Sequence, residues 1–117
     1  MNMENLKWND KYDSLNEKGY AILPGLLSKE DCASLMRMYG DSSKYRNIIN
    51  MQRYRFGKGE YKYFSYPLPS VIQQARENIY QSLVPLANDW MQKLSIDIQY
   101  PEHHADFVAQ CHSKNQN

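Results

Sequence analysis

The sequence predicts an α+β fold: a mostly helical layer carrying a small β-hairpin. Three observations carry this. Apolar residues recur at three- and four-residue steps in four stretches, the mark of helices with one packed face. A Ser-initiated cap opens one of those stretches. A β-prone pair flanks Gly57-Lys58-Gly59, a turn composition that suits a hairpin.

The first helix is read over 7–18. Trp8, Tyr12 and Leu15 share its packed face, and Gly19 stands where a left-handed residue ends a helix. Tyr20-Ala21-Ile22-Leu23 is a short β-prone run, stopped by the turn dipeptide Pro24-Gly25. The second helix, 28–39, opens at Ser28-Lys29-Glu30-Asp31, a capping box with Asp in place of Glu, and Leu27 and Cys32 are placed as its hydrophobic staple. Cys32, Leu35, Met36 and Tyr39 form the stripe expected to be buried, and Gly40 ends it.

Residues 46–56 read as a strand whose alternation is clean in its second half. Arg53 and Arg55 fall on one face there, Tyr54 and Phe56 on the other. Tyr61-Lys62-Tyr63-Phe64 returns as the second strand, and Pro67 and Pro69 close the segment. Ile72, Ala75, Ile79, Leu83, Leu86, Trp90 and Leu94 then mark a long helix over 70–94. Pro85 lies inside it, and a break near 81–85 is expected, since an interior proline costs ~3 kcal/mol. A last helix, 102–112, begins after Pro101. Two or three short strands complete the set.

The chain has 117 residues, 42% hydrophobic and 23% charged. That suits one domain over 1–117 and excludes a disordered or collagen-like chain. No apolar run approaches the ~18 residues of a membrane span. The start, Met1-Asn2-Met3-Glu4-Asn5, has neither a basic nor an apolar leader region, so a cytoplasmic home and no membrane partner are expected. Cys32 and Cys111 lack a CxxC partner and read as two buried thiols rather than a disulfide.

The net charge is +1, which argues against a dedicated polyanion binder, yet it is unevenly spread. Residues 44–64 hold Lys44, Arg46, Arg53, Arg55, Lys58 and Lys62 against Glu60, a local +5 beside −4 elsewhere. From Arg53 to Pro67, cations interleave with aromatics, as on surfaces that hold phosphates and stack bases. A cation–aromatic ladder on an ordinary hairpin has the same sequence. Gly57-x-Gly59 has no third glycine and no following helix, so it is not a dinucleotide loop.

His103-His104-Ala105-Asp106, with His112 beyond, spells a loose two-His-one-carboxylate set. On the helix expected here, residues i and i+2 diverge by ~200°, and His104 and His112 stand ~12 Å apart along the axis. The pair reads as a solvated helix start with an acid near the positive dipole end. No serine sits in a nucleophile elbow and Cys32 is expected buried, so no catalytic or metal-binding residue is assigned. Asp89 and Trp90 are placed to line a cleft, although an amphipathic helix needs no such role.

Gly19-Tyr20-x-x-Leu23-Pro24-Gly25-Leu26-Leu27-Ser28-x-Glu30-x-Cys32 resembles the opening of many 2-oxoglutarate/Fe(II)-dependent oxygenases. Phe56-Gly57-x-Gly59-Glu60-Tyr61-Lys62-Tyr63-Phe64-x-Tyr66-Pro67-Leu68-Pro69, with Cys111-His112 downstream, is similar to one bacterial family of these enzymes, described as acting oxidatively on damaged, alkylated DNA. The resemblance runs from about Gly19 to the last residue. It implies Fe(II) and 2-oxoglutarate as cofactors of the complete family member, held by a double-stranded β-helix that would follow the Cys-His region. No cofactor is expected on this chain alone, which is then a non-catalytic N-terminal scaffold whose partners are the missing barrel domain and damaged nucleic acid. Arg53, Arg55, Lys58, Tyr61, Lys62 and Tyr63 are the candidate substrate-binding residues. The alternative is a small nucleic-acid-binding module using the same basic-aromatic segment, 53–66.

Overall fold

The computed structural model describes Met3, residues 6–55 and residues 57–116. Within them lie four helices and one two-stranded antiparallel sheet that does not close into a barrel, an α+β fold. The helices are α1 (Trp8–Lys18), α2 (Lys29–Met38), α3 (Ser70–Lys93) and α4 (His104–Ser113), and the strands are β1 (Tyr45–Asn50) and β2 (Glu60–Phe64). The chain divides into two compact units, one of Met1–Leu26 with Gln74–Asn117 and the other of Leu27–Gln73.

In the first unit, α1 ends as its sequence dictates. Gly19 takes a left-handed conformation (φ 81°) and its N–H caps the Leu15 carbonyl at 3.0 Å, a shape that a Cβ disfavours. Two polar contacts tie α1 to α3. The Tyr12 hydroxyl donates to the Ser82 carbonyl, and the Trp90 indole N–H donates to Asn16 Oδ1 at 2.6 Å. Helix α3 runs unbroken through Pro85, so the expected break is absent. The proline ring is exposed while Val84 and Leu86 on either side are buried, so packing holds the helix across the missing hydrogen bond. The Tyr12–Ser82 bond lies in the same turn.

From Leu94 to Glu102 the chain returns along α3. Asn88 clamps this return from the C-terminal part of α3: Tyr100 N–H donates to Asn88 Oδ1 at 2.7 Å, and Asn88 Nδ2 donates to the Tyr100 carbonyl at 3.2 Å. The Tyr80 hydroxyl donates to the Pro101 carbonyl. Phe107 of α4 stacks on Tyr80 with ring centroids 5.4 Å apart, and Tyr100 meets Phe107 edge-on at 5.8 Å.

The second unit begins with the capping box. Asp31 N–H donates to Ser28 Oγ at 3.0 Å, and Ser28 N–H to the Asp31 carboxylate at 3.4 Å. Two sequence expectations fail in and before this helix. Tyr20–Leu23 forms no strand and leaves Tyr20 and Ile22 exposed; β propensity alone makes no strand without a partner to complete a ladder. The α2 stripe is not a core either: Cys32, Met36 and Tyr39 are exposed and Leu35 is half-buried. Periodicity orients a stripe but supplies nothing to cover it. Both thiols are free, Cys32 exposed and Cys111 half-buried.

The hairpin differs from expectation in its first strand. Only Tyr45–Asn50 is extended. Met51–Tyr54 is a 3₁₀ turn, initiated where Asn50 Oδ1 accepts the Gln52 N–H at 3.0 Å, and Arg55 is left-handed (φ 61°). The alternation proposed for Arg53 to Phe56 therefore does not exist up to Arg55, and Phe56 lies outside the described residues. Met51 N–H donates to the Gly59 carbonyl at 2.8 Å, closing the loop.

Candidate nucleic-acid interface

The hairpin register sorts its side chains onto two faces. Ile48 lies opposite Lys62, Ile49 opposite Tyr61, Asn47 opposite Tyr63 and Tyr45 opposite Phe64, with an irregularity between Tyr45 and Asn47. Because strand residues alternate, Glu60, Lys62 and Phe64 share one face and Tyr61 and Tyr63 the other.

The inner face is built around a cation. Tyr45 stacks on Phe64 at 4.9 Å, and Tyr39 meets Tyr45 edge-on at 6.2 Å. Lys62 Nζ stands 3.9 Å from the Tyr39 ring centroid and 5.1 Å from that of Tyr45, donates to the Tyr39 carbonyl at 2.6 Å, and lies 3.9 Å from the Glu60 carboxylate. Its side chain is only 11% exposed. The Tyr39 hydroxyl donates to Glu60 Oε1 at 2.9 Å; desolvation first, then that carboxylate, raises its pKa above the ordinary tyrosine value. Lys62 is thus committed to the hairpin's interior contacts.

The outer face is aromatic. Tyr61 and Tyr63 are 43% and 46% exposed and meet edge-to-face at 5.6 Å. The irregularity in β1 supplies a cation here, as bulges do when they re-aim a side chain. The Arg46 guanidinium lies 5.5 Å from the Tyr63 ring centroid and 5.2 Å from that of Tyr66, and Arg46 Nη1 donates to the Phe64 carbonyl at 3.1 Å.

Of the six residues nominated from sequence, Tyr61 and Tyr63 come together on this face. Arg53, Arg55 and Lys58 are exposed on the connecting loop, and Lys62 points to the opposite face. Sequence reasoning counted Arg46 only as charge. Its position depends on the bulge, which no local signal announces.

The His-x-Asp set does not fit an iron ion. His104, Asp106 and His112 all lie on α4, where the first two diverge by ~200° and the outer pair stand ~12 Å apart along the axis. The His104 ring instead meets Tyr80 edge-on at 5.4 Å. Its pKa is lowered, by burial first and then by Arg76, with Glu77 opposing. Among the described residues, no three His, Cys, Asp or Glu side chains converge as a metal site. Asp89 pairs with Lys93 at 2.8 Å. Trp90 lines an apolar groove of about 370 Å³ with Leu83, Val84, Met91, Tyr100 and Phe107. No helix among the described residues is long and apolar enough to cross a membrane.

The sequence model of the Oxygenase-NA family, described as an oxygenase catalysing oxidative methylation of damaged DNA, matches residues 59–117. Two uncharacterized proteins of Mycobacterium tuberculosis, from the Oshkosh and H37Rv strains, are each 34% identical to this chain over 53 residues. That match covers 45% of the chain and 23% of either relative's length. No solved structure matches the chain.

Proposed function

The chain belongs to the family of oxygenases described as catalysing oxidative methylation of damaged DNA, and from that membership we propose that its residues form the supporting layer and substrate-cleft wall of such an enzyme. The observation that carries the reading is the outward aromatic face with its Arg46 cation, since β2 lies inside the family-matched region. A surface of that chemistry suits a polyanion bearing flat bases, which is what damaged DNA presents.

The cofactors of the wider resemblance are Fe(II) and 2-oxoglutarate. In this proposal, residues outside Met1–Asn117 hold both, because His104, Asp106 and His112 do not fit a shared ion. The chain's own part is to position the hairpin and to offer the Trp90–Phe107 groove as the seat for the iron-bearing barrel. The groove is apolar, with no charged residue among its lining, as expected of a surface that packs against another layer.

The test is succinate release from 2-oxoglutarate by the purified chain with Fe(II), ascorbate and alkylated oligonucleotide. The expected result is no turnover above a protein-free control. Sustained turnover that ends on chelation of iron would overturn the assignment of the cofactor ligands elsewhere.

A further inference from the structure

The inner and outer faces of the hairpin divide the labour between holding the fold and meeting a ligand. Lys62 is consumed inside, and the cation that stands against the outer aromatic rings is Arg46. Its guanidinium has five N–H donors, one of which is spent on the Phe64 carbonyl. That bond fixes the group beside the rings of Tyr63 and Tyr66 and leaves donors for a phosphate oxygen. Tyr61, Tyr63 and Tyr66 are each between 43% and 48% exposed. The edge-to-face geometry of Tyr61 and Tyr63 (82° between planes) means that they do not stack on one another, so a ring face stays uncovered by its neighbour.

We propose that the outer sheet face of Tyr61 and Tyr63, together with Arg46 and the adjoining Tyr66 beyond the end of β2, is a stacking platform for unpaired bases of single-stranded nucleic acid, with Arg46 on the phosphate between them. This rests on the reading of the hairpin as a substrate wall and names which of its faces does the binding and which form of nucleic acid it takes. The preference follows from where base faces are accessible. In a duplex each base is covered above and below by its neighbours, and a tyrosine ring reaches only edges and backbone. In a single strand the bases splay and stack on aromatic side chains. Charge complementarity selects a nucleic acid over an apolar protein surface, since residues 44–64 carry +5 in a chain whose remainder is −4.

The experiment is fluorescence anisotropy with the whole chain and a labelled 15-nucleotide oligothymidine, single-stranded or annealed to oligodeoxyadenosine. The single strand is expected to bind at least several-fold tighter than the duplex, with affinity falling as salt rises. Tyr63→Ala is expected to weaken single-strand binding by roughly 5-fold or more, given the ~1–3 kcal/mol that stacking contributes per base. Tyr63→Phe retains the ring and is expected to restore binding, which separates stacking from misfolding. Arg46→Gln is expected to weaken binding and flatten the salt dependence. Equal affinity for duplex and single strand, with neutral tyrosine variants, would overturn the platform. If Tyr63→Ala is neutral while Arg53→Ala with Arg55→Ala and Lys58→Ala abolishes binding, the platform fails and the cleft-wall reading stands. Absence of binding to either DNA at low salt would overturn both.

Discussion

Replacing Asn88 by Ala isolates the contact that shapes the Trp90–Phe107 groove. The side chain acts as a surrogate strand, giving one acceptor and one donor to the same residue, at 2.7 Å from the Tyr100 N–H and 3.2 Å to its carbonyl. Deleting it leaves both backbone groups of Tyr100 unpaired in a part-buried setting. A fully buried unpaired group costs about 1–3 kcal/mol. Partial access of water lowers each figure toward its floor, so the pair amounts to about 2 kcal/mol. For a domain of this size that corresponds to a fall in Tm on the order of 10 °C. Asn88→Asp should be milder at neutral pH, since the acceptor for the Tyr100 N–H survives. Its deficit should narrow in acid, where the protonated carboxyl can donate to the carbonyl. The assay is urea unfolding followed by fluorescence of Trp8 and Trp90, paired with hydrogen exchange at the Tyr100 amide. If Asn88→Ala unfolds within ~0.5 kcal/mol of wild type, inside the ordinary range of surface substitutions, and the Tyr100 amide exchanges no faster, the clamp argument is wrong.

Pro85→Ala restores an N–H to the Gln81 carbonyl at an exposed position. Set against the ~3 kcal/mol interior-proline penalty and the entropy that proline removes from the unfolded chain, it should stabilise by about 2 kcal/mol. Unchanged or lower stability in urea would contradict this. Lys62→Met keeps the stem and removes the charge from between Tyr39, Tyr45 and Glu60; it should destabilise by on the order of 1–2 kcal/mol, read by thermal melting. A variant that melts like wild type but loses DNA binding would place Lys62 on the ligand side. The His104 pKa lies below its ordinary value in the fold, through burial and Arg76 against Glu77. The folded state therefore binds fewer protons there than the unfolded chain, and the contribution is complete above about pH 6.5 and declines as pH falls through the folded value. Urea midpoints between about pH 5 and 8 should show this decline in wild type and a flatter profile in His104→Gln.

Features set by near neighbours were legible in the sequence. Ser28 and Asp31 make a capping box three residues apart, and Gly19 ends α1 by its freedom at positive φ. The alternation that places Tyr61 and Tyr63 on one face needs only β2 itself. The failures lie where a distant partner decides. Cys32 and Met36 show helical spacing, yet both stand exposed, because spacing does not supply a covering element. Arg53-Tyr54-Arg55 imitates a strand, but the Asn50 side chain bonds ahead to Gln52 and starts a turn instead. Propensity at Pro85 favours a break, while Val84, Leu86 and the distant Tyr12 hydroxyl hold the helix together. In the candidate interface the aromatics were readable, whereas the aim of Arg46 and the inward commitment of Lys62 depend on pairing between strands.

In the proposed function this chain supports an iron centre whose ligands lie outside Met1–Asn117. Anaerobic equilibrium dialysis of the purified chain against Fe(II) tests it most directly. The account predicts no stoichiometric uptake at micromolar metal; one equivalent retained, and lost on His104→Ala or Asp106→Ala, would contradict it.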